Sequence, residues 1–111
     1  MVAAAGCGEK EGTFINSERR FGMVRSVVSP PGEAKTDFEI FRMIAERWGC
    51  GPLFDRWRTP RDAFDILKKI SRGRPCDFSG IGGYEDIAGR GGIQWPFPSG
   101  DRLPRGNERR L

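Results

Sequence analysis

The sequence predicts a mixed α+β fold, with two main helices and a few short strands, as an incomplete piece of a larger domain. Three observations predict it. Apolar residues recur at helical spacing in two stretches, each opened by a threonine suited to cap a helix. A loosely alternating run, "GTFINSERRFGMVRSVV", supplies strand-like positions near the start. Sixteen glycines and eight prolines in 111 residues cut the remainder into short elements and turns.

Taken in order, "VAAAG" is small and apolar and reads as the end of something buried. Phe14, then Phe21, Met23, Val27 and Val28, suggest two strands at about 13–16 and 20–28, joined around Asn16–Glu18. "SPPGEAK" breaks the chain. Thr36 opens a helix, and Glu39 completes a T-x-x-E capping box. Phe38, Phe41, Ile44, Ala45 and Trp48 then predict one buried face, stopped by Gly49 and Gly51. Thr59 and Pro60 open a second helix whose apolar stripe is Ala63, Phe64, Leu67 and Ile70, ended by Gly73. "YEDIAGRGG" allows one or two turns, and "GGIQWPFPSGDRLPRGNERRL" reads as irregular. The expected organisation is one unit over 1–111: a hairpin part over about 1–35, two helices over 36–73 and an irregular Gly/Pro-rich segment over 74–111. Both ends stop abruptly, which predicts an incomplete domain.

Composition removes several chemistries. With no histidine, Ser–His and Cys–His nucleophile pairs, imidazole acid–base catalysis and His metal ligands are excluded. Cys7, Cys50 and Cys76 are far apart and form no C-x-x-C pair, so no thiolate metal site is expected from this chain. Their spacing suits a reduced, cytoplasmic setting better than a disulfide framework. No apolar run approaches membrane-spanning length, and "MVAAAGCG" is too short and uncharged for a signal peptide. The net charge of +4 is concentrated over Arg56–Arg74, which a solvated helix face explains; a small basic nucleic-acid-binding module is the rival reading. The glycines over 80–92 make neither a G-x-G-x-x-G nor a Walker loop.

Two longer motifs carry more information. "EKEGTFINSERR" followed by "VVSPPGEAKTDFEIFRMIAERWG" resembles a segment of the prokaryotic molybdopterin oxidoreductases, which include assimilatory nitrate reductases and formate dehydrogenases. "PCDFSGIGGYEDI", "GGIQWPFP" and "ERRL" follow in the family's order, so the resemblance covers nearly the whole chain. "LKKISRGRPCDFSGI" with "GGIQWPFP" is most similar to the assimilatory nitrate reductase type. The family commonly has Pro at the position of Ala3 and an aromatic residue at that of Cys7.

The resemblance implies an internal fragment of an enzyme that reduces nitrate to nitrite by oxygen-atom transfer; a formate dehydrogenase catalytic subunit is the alternative. The implied cofactor is bis-molybdopterin guanine dinucleotide, with a 4Fe-4S centre in the parent whose ligands are not in this chain. The implied partners are the parent's remaining domains and an electron-donor protein or domain. In the resembling enzymes the Lys of the EKEG motif and the Asp after GEAKT contact the guanine dinucleotide, which implies Lys10 and Asp37 as cofactor-binding residues. No catalytic residue or metal ligand is implied, and the 111-residue chain alone is expected to be inactive. The residues also have plainer readings: Asp37 as a carboxylate favoured in a first helical turn, Lys10 as an exposed ion-pairing lysine. Asn16, Arg19 and Arg20 are expected to fix the hairpin against neighbouring domains, and Trp95 to be a core or interface aromatic.

Overall fold

The computed structural model describes residues 2–100; the expected irregular end over 101–111, with its "ERRL" motif, lies outside the described residues. Three strands, β1 (Gly12–Ile15), β2 (Arg20–Val24) and β3 (Ile93–Gln94), form an antiparallel sheet in the order β1-β2-β3. Three α-helices accompany it: α1 (Asp37–Arg47), α2 (Pro60–Ser71) and α3 (Tyr84–Gly89). Short 3-10 turns lie at Cys7–Glu9 and Gly51–Phe54. This is the mixed α+β class expected.

The hairpin turn is built by Asn16. Its side-chain oxygen accepts from the Glu18 and Arg20 amides, each at 3.0 Å, and Arg19 takes a left-handed conformation with φ of 61°. β1 and β2 pair Gly12 with Val24 through to Ile15 with Phe21. β2 is shorter than the 20–28 expected. The Val27 and Val28 amides both turn to the Gly8 carbonyl, at 2.8 and 3.2 Å, so the chain leaves the sheet to hold its own N-terminal segment.

Both helix starts follow the sequence. Thr36 Oγ1 accepts from the Glu39 amide while Glu39 accepts from the Thr36 amide at 2.8 Å. Thr59 and Asp62 form the same reciprocal box at α2, with Pro60 in the first turn.

The core sits between β2, β3, α2 and α3. It consists of Phe21, Phe64, Ile81, Tyr84, Ile87 and Ile93, with Met23, Phe78, Trp95 and Phe97 packed on it. Four of those six residues come from the stretch after Gly73, where the sequence suggested little order. β3 leaves no signal in the sequence because a two-residue strand has no periodicity of its own and exists through its pairing with β2.

The expected burial of α1 is not observed. No residue of α1 is buried; Phe41 is 70% and Trp48 79% exposed. Its apolar spacing is real, yet among the described residues no element covers that face; α1 packs chiefly on the Gly51–Phe54 turn. Of the α2 stripe, Phe64 alone is buried, while Leu67 and Ile70 stay exposed. "VAAAG" buries only Ala5, through a short parallel bridge between Ala4 and Lys35.

Two predictions follow from the packing. Phe64→Ala should cost about 3–5 kcal/mol in denaturant unfolding, whereas Phe41→Ala should stay within about 0.5 kcal/mol. A β-carbon on Gly80 would lie 2.6 Å from the Pro98 carbonyl oxygen, a backbone atom that cannot swing aside. Gly80→Ala should therefore destabilise by about 1–3 kcal/mol, while Gly22→Ala meets only the half-exposed Phe14 ring and should cost less.

Candidate functional site

Lys10 and Asp37 are brought together by local structure at both ends. Lys10 follows the Cys7–Glu9 turn, which is closed by a Glu9 carboxylate accepting from the Gly6 amide at 2.7 Å. Asp37 is the first residue of α1, immediately after the Thr36 cap. The Ala5 amide donates to Lys35 at 2.8 Å, and the Lys35 amide to Ala3 at 2.9 Å. These bonds dock the N-terminal segment beside the start of α1. The Lys10 ammonium consequently donates to the Asp37 carboxylate across 27 positions of sequence.

The hydrogen bond and then the charge of Lys10 hold the Asp37 carboxyl below the ordinary carboxylate range. The same bond raises the Lys10 ammonium above its ordinary value. Both groups are ionised through the neutral range. Both are also solvent-accessible, so their attraction is screened and contributes little stability by itself.

The pair borders a cleft of about 250 Å3 whose lining includes Cys7, Glu11, Thr13, Phe38 and Pro60. A trough of about 500 Å3 shares Glu11, Thr36, Phe38 and Pro60 with it and extends to Lys35, Arg58 and Thr59. The capped N-termini of α1 and α2 both open on this trough, where the first-turn carboxylates of Asp37, Glu39 and Asp62, with Glu9 and Glu11 nearby, offset the positive end of each helix dipole. The arrangement offers an acceptor carboxylate, an ammonium donor and an apolar flank at Phe38 and Pro60. Such a set suits a nucleotide base: Asp37 for a hydrogen-bonding edge, Phe38 and Pro60 for a flat face, and Lys10 for a phosphate or carbonyl oxygen. Both capping residues were readable in the sequence; their convergence on one trough was not, because it depends on how α1 and α2 are placed.

Asn16, Arg19 and Arg20 lie elsewhere: Asn16 closes the hairpin turn, and Arg19 and Arg20 stitch the hairpin to the Gly91 and Trp95 region. Arg20 donates to the Gly91 carbonyl at 2.8 Å, the Arg19 carbonyl accepts from the Trp95 amide at 2.9 Å, and the Arg19 guanidinium lies 5.7 Å from the Trp95 ring centre. Trp95 packs on the core as expected. The cations of Arg56–Arg74 are divided among separate local tasks: Arg61 pairs with Glu85 at 2.7 Å, Arg58 donates to the Asp55 carbonyl, and Arg72 donates to Ser99. Among the described residues, no group of three or more His, Cys, Asp or Glu is placed to hold a metal ion, and no helix is long and apolar enough to cross a membrane.

Comparison with known proteins follows the same line. The molybdopterin oxidoreductase family model matches residues 4–47, a span containing both Lys10 and Asp37. The assimilatory nitrate reductase catalytic subunit of Bacillus subtilis is 39% identical over 101 residues, 91% of this chain and 14% of the relative. The F420-dependent formate dehydrogenase 1 subunit alpha of Methanococcus maripaludis is 35% identical over 96 residues, 86% of this chain and 13% of the relative. A nitrate reductase of Synechocystis is 36% identical over 105 residues, 92% of this chain and 14% of the relative. The chain thus spans about one seventh of the length of these relatives. By the family match over 4–47 and these relatives over most of the remaining length, the chain belongs to the molybdopterin oxidoreductase family.

Proposed function

We propose that this chain contributes part of the wall that holds one guanine nucleotide of a bis-molybdopterin guanine dinucleotide cofactor, within an oxidoreductase of the nitrate reductase type. The observation that carries the reading is the meeting of Lys10 and Asp37 in a cleft flanked by Phe38 and Pro60. Asp37 would accept from the guanine N1–H and the N2 amino group together, a pair of donors that adenine does not present. Lys10 would meet a phosphate or carbonyl oxygen as a compact point charge. Phe38 and Pro60 flank the base. The molybdenum–pterin group supplies the redox chemistry when bound; this chain binds and orients its nucleotide end.

Binding requires Lys10 and Asp37 to exchange their mutual bond for bonds to the nucleotide. Both are exposed enough for that exchange to be cheap. The parent activity in this reading is reduction of nitrate to nitrite, supported by the "SRGRPCDFSGI" and "GGIQWPFP" segments. Formate dehydrogenase is the second reading, favoured by relatives of that name at similar identity. The proposal includes a 4Fe-4S centre and an electron donor supplied by other parts of the parent, and a cytoplasmic location. The uncovered faces of α1 and α2 fit contact with such parts.

Three outcomes test this. Guanosine diphosphate should bind the chain in preference to adenosine diphosphate, and Asp37→Asn should weaken it about tenfold by turning one acceptor into a donor. Equal binding of the two nucleotides would overturn the reading. The pair's contribution to stability should be present between about pH 3.9 and pH 10.4. It should be lost as pH falls through the lowered Asp37 value or rises through the raised Lys10 value. Lys10→Met should therefore move the Asp37 titration upward, as followed by carboxyl NMR. Purified chain supplied with cofactor and reductant should turn over neither nitrate nor formate.

A further inference from the structure

We infer that the Thr13 hydroxyl reads the O6 atom of the base in the Lys10–Asp37 cleft, an assignment that rests on the guanine reading of that cleft. A carboxylate that accepts from N1–H and the N2 amino group leaves the third group of guanine's edge, the O6 acceptor, unanswered. An acceptor that gives up its water on binding needs a donor in return. The side-chain donors lining the cleft are Cys7, Lys10, Thr13 and Thr36. The Thr36 hydroxyl is committed to the helix cap: it donates to the Glu39 carboxylate at 2.9 Å and accepts from the Glu39 amide at 3.2 Å. A thiol such as that of Cys7 is a weak donor. The Lys10 ammonium is a compact charge suited to a phosphate. Thr13 remains as the neutral donor for a carbonyl oxygen.

The sheet places it there. Along β1 successive side chains take opposite faces. The Phe14 ring lies over Gly22, its partner on β2, where a β-carbon would fall 2.4 Å from the ring. Thr13 therefore takes the other face, with its own partner Met23, which packs on the core. That face turns toward α2, whose first residue, Pro60, lines the cleft with Thr13. Thr13 is half-buried, and among the described residues its hydroxyl has no hydrogen-bond partner. Valine has the same shape and suits a strand at least as well, so the strand itself has no use for the hydroxyl. A half-buried hydroxyl without a protein partner, in the same cleft as Asp37, is the donor that O6 lacks.

The test is calorimetric titration of the 111-residue chain with guanosine, 6-thioguanosine and adenosine diphosphates. 6-Thioguanine keeps N1–H and the N2 amino group and replaces O6 by sulfur, a weak acceptor. Guanosine diphosphate should bind about tenfold more tightly than its 6-thio analogue. Thr13→Val should weaken guanosine diphosphate about tenfold and bind it and the 6-thio analogue alike, while keeping the preference over adenosine diphosphate that Asp37 supplies. Thr13→Ser, which retains a hydroxyl, should keep the discrimination. The comparison of analogues on the unaltered chain holds even if a variant fails to fold. Guanosine preferred over adenosine diphosphate, with the 6-thio analogue bound equally well or Thr13→Val without effect, would overturn the role of Thr13 and leave the guanine reading standing. Guanosine and adenosine diphosphates bound alike by the unaltered chain would overturn both.

Discussion

The ring of Phe21 is the point on which the described fold depends. It is 3% exposed, meets Phe64 edge-on at 5.8 Å between ring centres, and lies 4.8 Å from Phe78. Its backbone pairs with Ile15 on one side and Ile93 on the other. One residue therefore joins all three strands and seats α2 beneath them. With β2 fixed in this way, β1 is fixed by register, and Lys10 is carried to the edge of the sheet just ahead of it. The candidate site is thus positioned by a core that it does not touch.

That core is small for a chain of this length, and the remaining apolar residues are unevenly placed. Phe41 on α1, Trp48 at its C-terminal cap, Leu53 in the following turn, and Leu67 and Ile70 on α2 all remain more than half exposed. Scattered exposed apolar residues are ordinary, but several large ones on consecutive elements are the composition of a buried contact. Relatives about seven times longer offer a physical reason: burial that a helix seeks by its pattern can be supplied by chain outside the segment. A helix can be amphipathic and correctly capped while its apolar face awaits a neighbour.

This explains what was legible in the sequence. The caps at Thr36 and Thr59, the Asn16 turn and the stops at Gly49 and Gly73 are local, decided within three or four residues, and they appear where expected. Burial is not local. The spacing of Phe41, Ile44 and Trp48 states which face is apolar, and nothing in it states whether a partner is at hand. The converse holds for Ile81, Ile87 and Ile93: they lack a strong period, so their place in the core emerges only from long-range pairing with β2 and α2. For the site, motif resemblance singled out Lys10 and Asp37, and the fold brings the two into contact. The trough formed by both helix ends, and the roles of Asn16, Arg19 and Arg20 within this chain, required three dimensions.

In the proposed site the Asp37 carboxylate replaces its ammonium partner with the edge of a guanine base. The imino proton of guanosine diphosphate bound to the chain reports on this directly. If Asp37 accepts from N1–H, that proton should exchange slowly with water, resonate downfield and show close approach to residues at the start of α1. Imino exchange at the rate of free nucleotide, or contacts confined to another surface, would contradict the account.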